Sequence, residues 1–467
     1  MVTTSTPAAP ARAPVGSGGP AGPEEGAVAS VKRRSAWSEG VDRVRAAAVT
    51  EPGRLRIIGA LLAALVVAFG AVAAWQVVDR AGAGDDVVRR SQPLSADAAS
   101  VYRFLADADT AASSGFLAEG TKPAEVRARY EKDIEDASRL LLKAAANTDA
   151  DESSRQEIDL LGRELPRYTG LVETARANNR QNLPLGGAYL RYANERMSTV
   201  LLPAAQRLYT SETARLGTDE DAARSWPWPA LGVGVLALGA LVWAQRRDLA
   251  HTNRVFNHGL VAATAAATVV VLWLAVGHTV ARSGLTSARE DGQRSLRVLG
   301  EARIASLQAR ANENLTLVSR GAVLAADKKS DKYDVDYEKN MNALVAGLER
   351  AAEVADDEAG REPVRAAAAA AAEWRERHKK AREVDLSGRF KEAREAVVGG
   401  SASTGASFDV VDASLEKALA HEQREFTDAA RGGVAAFDGL AVGAVVLALL
   451  GAAAALVGVG RRLSEYR

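Results

Sequence analysis

Four stretches of the chain are apolar along their whole length, without the alternation of polar and apolar positions that an amphipathic helix shows. Each runs for about 17–21 residues with almost no charge, the length that a helix needs to cross a bilayer core. Tryptophans such as Trp75 and Trp243 stand at their ends, as in an aromatic belt. Four buried helices of a large soluble core are the less favoured alternative. The pattern predicts transmembrane helices around residues 55–75, 226–244, 259–277 and 439–459.

Between these stretches, apolar residues recur every three or four positions, which is the period of a helix with one buried face. In the first long connection, one such stripe runs through Tyr130, Ile134 and Leu141. In the second, a similar stripe runs through Tyr337 and Leu344. Each connection has room for four such helices, the first and last of which lead into membrane helices. The fourth helix of the second connection is expected to run from about Ser387 through Val411 toward the last span. This order predicts an up-and-down four-helix bundle in each connection.

The two long connections also resemble each other in sequence. The segment "YEKDIEDASRLLLKAAANT" at 130–148 has a counterpart, "YEKNMNALVAGLERAAEVA", at 337–355. Flanking segments correspond in the same order along the chain, so that a span, four helices and a second span occur twice. This collinear order predicts an internal duplication.

The predicted fold class is all-α: an integral membrane protein with four transmembrane helices and two tandem extracytoplasmic up-and-down four-helix bundles. Composition agrees, because aromatics are only 5% of the residues and the apolar mass is mostly Ala, Val and Leu. The predicted parts are a disordered basic cytoplasmic tail at 1–54, transmembrane helices at 55–78, 226–244, 258–280 and 434–460, bundles at 79–225 and 281–433, a cytoplasmic loop at 245–257 and a cytoplasmic tail at 461–467.

Charge distribution predicts the orientation in the membrane. The formal net charge is zero, but residues 1–56, the loop after Ala244 and the tail after Gly460 together hold 14 Lys/Arg against 7 Asp/Glu. The two long connections hold 45 Lys/Arg against 51 Asp/Glu. Because short basic segments stay in the cytoplasm, both termini are expected on the cytoplasmic side of the cell membrane and both bundles on the outer side.

No residue group has the spacing of a catalytic or metal site. The chain has no cysteine, and "HEQRE" from His421 lacks the second histidine of a zinc-protease motif. His258 and His278 bracket one span, roughly 30 Å apart, so they cannot share a metal. His378 is expected to line or cap a bundle, and Asp438 lies too near the interface to indicate ion transport. We therefore predict no enzyme, no metal, no cofactor and no nucleic-acid binding; ligand-binding residues are unknown.

Proline placement suggests a mechanical difference between the two bundles. Thirteen of the 14 prolines occur by Pro229, and "WPWP" at 226–229 must interrupt the helix that enters the second span. Residues 407–459 contain no proline. The hypothesis that follows is that the second bundle is the mechanically coupled one, through its last helix. "GLAVG" at 439–443 also predicts a close helix contact in the last span.

At this level of detail, residues 55–460 resemble the GlnX-type membrane proteins of actinobacteria. Four spans, two outer helical domains and several stretches carry the resemblance. The stretches are "RARYEKDI" (127–134), "LPLGGAYLRYAN" (183–194), "LLPAAQRLY" (201–209), "ANENL" (311–315) and "SFDVVDASLEKALAHE" (407–422).

The resemblance implies a signalling function. Members of that family are thought to act between an extracytoplasmic solute-binding lipoprotein for acidic or amide amino acids and a cytoplasmic Ser/Thr protein kinase. It implies no ligand-binding residues, and the sequence leaves homo-oligomerisation open. Two alternatives remain: a bundle that senses a small molecule directly, in the manner of chemoreceptors, and a structural scaffold of the cell envelope.

Overall fold

Nearly all of the described chain is helical. The computed structural model describes residues 51–118, 123–147, 152–252 and 257–464, with 91% helix and no β-strand among these residues. The all-α prediction is thereby confirmed for this part of the chain. Most of the predicted N-terminal tail lies outside the described residues, as do residues 253–256 of the predicted loop and 465–467 of the C-terminal tail.

The first part of the chain starts with an unusually long helical run. Helix α1 passes through a π-helical turn directly into α2, so that the predicted continuation of the first span as a bundle helix is confirmed. The elements are α1 (Glu51–Asp86), the π-turn Val87–Ser91, α2 (Gln92–Leu117), α3 (Pro123–Asn147), α4 (Glu152–Arg180), α5 (Leu185–Arg196), the π-turn Met197–Leu201, α6 (Leu202–Arg224) and α7 (Trp228–Thr252).

The second part follows a similar order. Its membrane helix α8 also runs through a π-turn into the next helix, α9. The elements are α8 (His258–Ser287), the π-turn Ala288–Gln293, α9 (Arg294–Ser319), α10 (Lys332–Val354), α11 (Glu358–Leu386), α12 (Phe390–Val398), α13 (Thr404–Ala435) and α14 (Leu440–Ser464). We call residues 87–224 the first half and residues 288–435 the second half of the helical bundle.

The sequence predicted one fourth helix in the second half, starting near Ser387, and this prediction is wrong. A short α12 ends before Gly399, and α13 begins afresh at Thr404. The hydroxyl of Ser403 accepts a hydrogen bond from the backbone N–H of Ala406 at 3.2 Å, which is the usual chemistry of a helix N-cap. The break arises because two glycines and a capping serine favour a turn over a continuous helix.

Two of the π-turns have a local cause in proline. Pro93 follows the turn Val87–Ser91, and Pro203 follows the turn Met197–Leu201, each within the first two residues of the next helix. A proline has no N–H to donate, and its ring clashes with the carbonyl four residues earlier. The wider π-turn accommodates this ring without ending the helix.

The described residues include four helical runs that are long and apolar enough to cross a membrane. Their most apolar windows have mean hydropathies of 2.6, 1.6, 2.2 and 2.6, and only 28–39% of each is buried within the protein. Side chains such as Leu61, Trp228 and Leu450 are more than half exposed on them. An apolar surface of this extent is typical of helices that lipid covers.

Small residues let the apolar helices approach each other closely. A Cβ added to Gly259 of α8 would lie 2.5 Å from the Cα of Gly458 in α14, and one added to Gly443 would lie 2.2 Å from the ring of Trp273. The close contact predicted for Gly443 is therefore confirmed. Gly439 has a different role, because its φ of +75° ends a turn before α14.

The hypothesis of an uninterrupted exit through the last helix is wrong. The helix α13 ends at Ala435, and residues 436–439 form a turn before α14 begins at Leu440. The reason is Gly439, whose left-handed backbone breaks the helix without any proline. The uninterrupted helices are instead those that leave the first and third spans.

One apolar core runs through both halves of the bundle. Tyr130 is 3% exposed and Tyr337 fully buried, as their places in the apolar stripes predicted, and both belong to the same core. Helices α2 and α9 pack side by side at its centre. There the hydroxyl of Thr110 donates to the carbonyl of Leu307 at 2.8 Å. Residues 58–467 accordingly form one compact unit; the other unit, residues 1–57, is described only from Glu51 onward.

Candidate functional site

In the second half, a carboxylate lies at the centre of the core. Glu313 of α9 is 1% exposed, and it accepts a hydrogen bond from Trp374 Nε1 of α11 at 3.1 Å. Arg310, one helical turn earlier, donates to the same carboxylate at 2.5 Å. Burial alone would raise the pKa of Glu313, but the charge of Arg310 and the hydrogen bond from His378 lower it below its usual value. Glu313 is therefore an anion inside the core.

The third partner of this carboxylate is His378. Its Nδ1 lies 2.9 Å from Glu313, its Nε2 lies 3.4 Å from Asp334, and its ring stacks on Tyr337 with 3.6 Å between centroids. Burial lowers the pKa of His378, but the hydrogen bonds to Asp334 and Glu313 outweigh it and raise the pKa to about 9. The histidine therefore carries a positive charge at neutral pH. A small cavity with a volume of ≈ 10 Å³ adjoins His378, Glu313 and Arg382.

The first half has a similar carboxylate on its own central helix. Asp109 of α2 is 6% exposed, and it accepts hydrogen bonds from Tyr168 Oη at 3.2 Å and from Asn194 Nδ2 at 2.6 Å. No cation contacts it among the described residues. Burial therefore raises the pKa of Asp109 to about 6, against the opposing effect of its two hydrogen bonds.

The two arrangements have two features in common. In each half, the carboxylate stands on the helix that continues from a candidate span, and an aromatic N–H or O–H donor reaches it from the third bundle helix. In each half, too, a buried tyrosine of the second helix, Tyr130 or Tyr337, has a hydroxyl without a hydrogen-bond partner among the described residues. Each half therefore has a buried polar centre.

A network of charged side chains joins the two halves. Arg129 of α3 lies 2.7 Å from Asp107 of α2 and 2.9 Å from Asp412 of α13. Asp412 also accepts from Arg303 Nε of α9 at 2.8 Å. Beside it, burial and the charge of Asp107 raise the pKa of Asp133 to about 8. Helices of both halves are thus held together by ion pairs that are largely removed from water.

A third polar cluster lies where the spans meet the bundle, and we call it the junction. The acidic sequence Asp219–Glu220–Asp221 of α6 lies between the π-turns of the first and third spans. Ser91 of the first π-turn donates to Asp219. From the other π-turn, Gln293 Nε2 donates to Glu220 at 2.7 Å, and Arg289 lies 2.5 Å from Asp221.

The junction connects α6 with the π-turns that follow the first and the third span. Glu220 is 1% exposed, and burial raises its pKa to about 7 although Arg289 and Arg224 oppose this. An apolar cluster surrounds the junction. It contains Leu216 of the first half, Phe426 of the second half and Leu285 of α8. A shift of either continuous helix would therefore change hydrogen bonds on α6.

The sequence predicted no catalytic, metal or cofactor residues, and it missed these polar clusters. His258 and His278 lie at opposite regions of α8, as expected. His378 lines the bundle core, which was one of the two expected positions, and it pairs there with Glu313. A signal for Glu313 was present, because "ANENL" places a charged residue between the stripe positions Ala311 and Leu315. For the junction no comparable signal exists, since its members come from three separate parts of the chain.

Comparison with known protein families gives a match that lies almost entirely in the first half. Residues 83–221 match the family model described as an actinobacterial sensor domain. The match begins near the end of α1 and ends in the acidic triplet of the junction. No curated protein and no solved structure matches the chain. The chain is thus a helical protein with four candidate membrane spans among its described residues, and its residues 83–221 are similar to actinobacterial sensor domains.

Proposed function

We propose that this protein is a transmembrane signal transducer that relays the availability of an extracellular solute to the cytoplasm. The observation that carries this proposal is the sensor-domain match over residues 83–221, which ends at the junction with the membrane helices. The continuous helical runs α1–α2 and α8–α9 support it, because each passes from a candidate span into the core of the bundle. We propose no enzyme activity for the chain itself.

The proposed mechanism needs two packings of the bundle that differ in affinity for a partner. A partner that prefers one packing shifts α2 or α9 along or around its axis, and the rigid helix carries this movement into the first or third span. The buried centres at Asp109 and Glu313 supply the alternative pairings. The acidic triplet of α6 would couple the two helices, since both π-turns contact it.

We further propose that both termini are cytoplasmic and that the two halves form tandem bundles outside the cell membrane. The basic short segments support this orientation. The proposal includes a separate cytoplasmic partner that receives the signal. The resemblance to GlnX-type proteins makes a Ser/Thr protein kinase the partner that we propose.

The solute that we propose is aspartate, glutamate or glutamine, delivered by a solute-binding lipoprotein. The resemblance to GlnX-type proteins supports this choice. The cavity beside Glu313 has a volume of ≈ 10 Å³, which is room for about one water molecule and not for an amino acid. Recognition through a protein partner therefore accounts better for this bundle than direct binding at that position.

A crosslinking pull-down from native membranes, with and without glutamate or aspartate, tests the proposal. We expect the tagged full-length protein to recover a solute-binding lipoprotein and a Ser/Thr kinase, with a yield that depends on the amino acid. Purified protein that binds the amino acid without any partner would instead favour direct sensing. Recovery of neither partner would contradict the proposed function.

A further inference from the structure

A histidine and two carboxylates converge at the base of the second half, away from the polar centres described above. His421 and Glu425 belong to α13, and Asp357 caps the N-terminus of α11. One potential metal-binding atom of each lies within 4.8 Å of the other two. His421 Nε2 is 3.1 Å from both oxygens of Asp357 and 3.4 Å from Glu425 Oε1.

The backbone fixes these three side chains in place. His421 and Glu425 are four residues apart and so project from the same face of α13. Asp357 Oδ1 accepts the backbone N–H of Gly360 at 2.7 Å, which holds its carboxylate toward that face. A Cβ on Gly360 would lie 3.1 Å from Glu422 Oε1 and 3.3 Å from Asp357 Oδ1. The glycine thus lets two carboxylates approach the same stretch of backbone.

The charges around the cluster do not balance. The carboxyl groups that interact there are those of Asp356, Asp357, Glu422 and Glu425, whereas the basic side chains are those of His421 and Arg424. A single histidine ring can give at most one proton from Nε2, and two carboxylates face that atom. The side chains of His421, Asp357 and Glu425 are 18%, 42% and 42% exposed, so an ion can enter from water.

We propose that His421, Asp357 and Glu425 bind a divalent transition-metal ion. One imidazole nitrogen with two carboxylate oxygens is a ligand set that suits Zn²⁺ or Mn²⁺, with water completing the coordination. The ion would link the start of α11 to α13, the helix that leads toward the fourth span. The site is independent of the solute and the partners proposed above.

The test uses full-length protein in lipid nanodiscs, stripped with a chelator and then titrated with ZnCl₂. We expect about one zinc per chain by mass-spectrometric metal analysis, and a rise in Tm on zinc addition because the ion binds only the folded chain. His421→Ala and Glu425→Gln should each weaken zinc binding by about tenfold or more and remove the rise in Tm, since each deletes one of three ligands.

Asp356→Asn is the matched control. It removes one negative charge next to the cluster but leaves all three ligands, so its zinc affinity should stay close to that of the wild type. The proposal is overturned if the wild type binds no stoichiometric zinc, or if His421→Ala binds as well as the wild type. It is also overturned if Asp356→Asn loses as much affinity as Glu425→Gln, because the attraction would then be diffuse.

Discussion

At the scale of single residues, the unusual feature of this bundle is that its core contains anions. Glu313 is paired with Arg310 and His378, whereas Asp109 has only neutral hydrogen-bond donors. A paired buried charge and an unpaired buried carboxyl respond differently to mutation and to pH. The two halves should therefore differ in their response to the same kind of substitution.

Removing the carboxylate of Glu313 should strongly destabilise the protein. Glu313→Ala leaves Arg310 and His378 as buried cations without their shared partner, which costs about 3–5 kcal/mol. Trp374→Phe is the control variant. It keeps an aromatic ring in the core and mainly loses the hydrogen bond to Glu313, which is worth about 1 kcal/mol. Thermal unfolding of the purified protein measures both. Equal losses for the two variants would contradict the ion-pair account.

Asp109→Asn should change how stability depends on pH. The pKa of Asp109 rises from 3.8 to about 6 on folding, so folding favours the neutral carboxyl. Its stabilising contribution is complete below pH 3.8 and is lost as the pH rises through 6. Wild type should therefore lose up to about 3 kcal/mol relative to Asp109→Asn between pH 4 and pH 8. Parallel stability profiles of the two proteins, measured by denaturant unfolding, would refute this assignment.

At the scale of elements, the spacing of apolar residues predicted nearly every helix because each buries one face against its neighbours. Tyr130 and Tyr337 are buried as their stripes require. The π-turns could not be predicted, since a proline near a helix start fits an ordinary helix just as well. The turn that ends at Gly439 could not be predicted either. A glycine in a membrane helix more often lets a neighbouring helix pack closely than it adopts a left-handed backbone that ends the helix.

The pairing of Arg129 with Asp412 should couple the two halves energetically. A double-mutant cycle of Arg129→Ala and Asp412→Ala is expected to give an interaction free energy of about 1 kcal/mol or more, because Asp412 is largely buried. Arg127 and Glu131, an exposed pair within α3, provide the control. Their cycle should give a much smaller interaction free energy, because water screens both exposed side chains. Equal coupling energies for the two pairs would mean that the network does not hold the halves together.

At the scale of the whole molecule, the two continuous helical runs differ from the two interrupted ones. The first and third spans enter the bundle through π-turns, while residues 225–227 and 436–439 interrupt the helices that meet the second and fourth spans. Under the proposed mechanism, a movement of the bundle is carried by the one span of each half that continues into it as a helix. The remaining two spans join the bundle through non-helical residues.

Inserting one alanine should therefore impair signalling at the π-turn between α8 and α9 and have little effect at the turn between α13 and α14. An insertion after Gly292 rotates α9 by about 100° relative to α8 and separates Arg289 from Gln293 at the junction. We expect it to abolish the response of cytoplasmic Ser/Thr phosphorylation to external glutamate. An insertion after Ala436, made as the control, should keep most of that response. Similar effects from both insertions, in proteins of similar Tm, would rule out transmission through the continuous helix.

The central claim is that this protein reports external amino acids to a cytoplasmic kinase. It is tested most directly by measuring Ser/Thr phosphorylation of cytoplasmic proteins before and after glutamate or aspartate is added to intact cells, with the gene present, deleted and restored. The account predicts a change in phosphorylation that deletion removes and the restored gene brings back. An unchanged response in the deletion strain would contradict it.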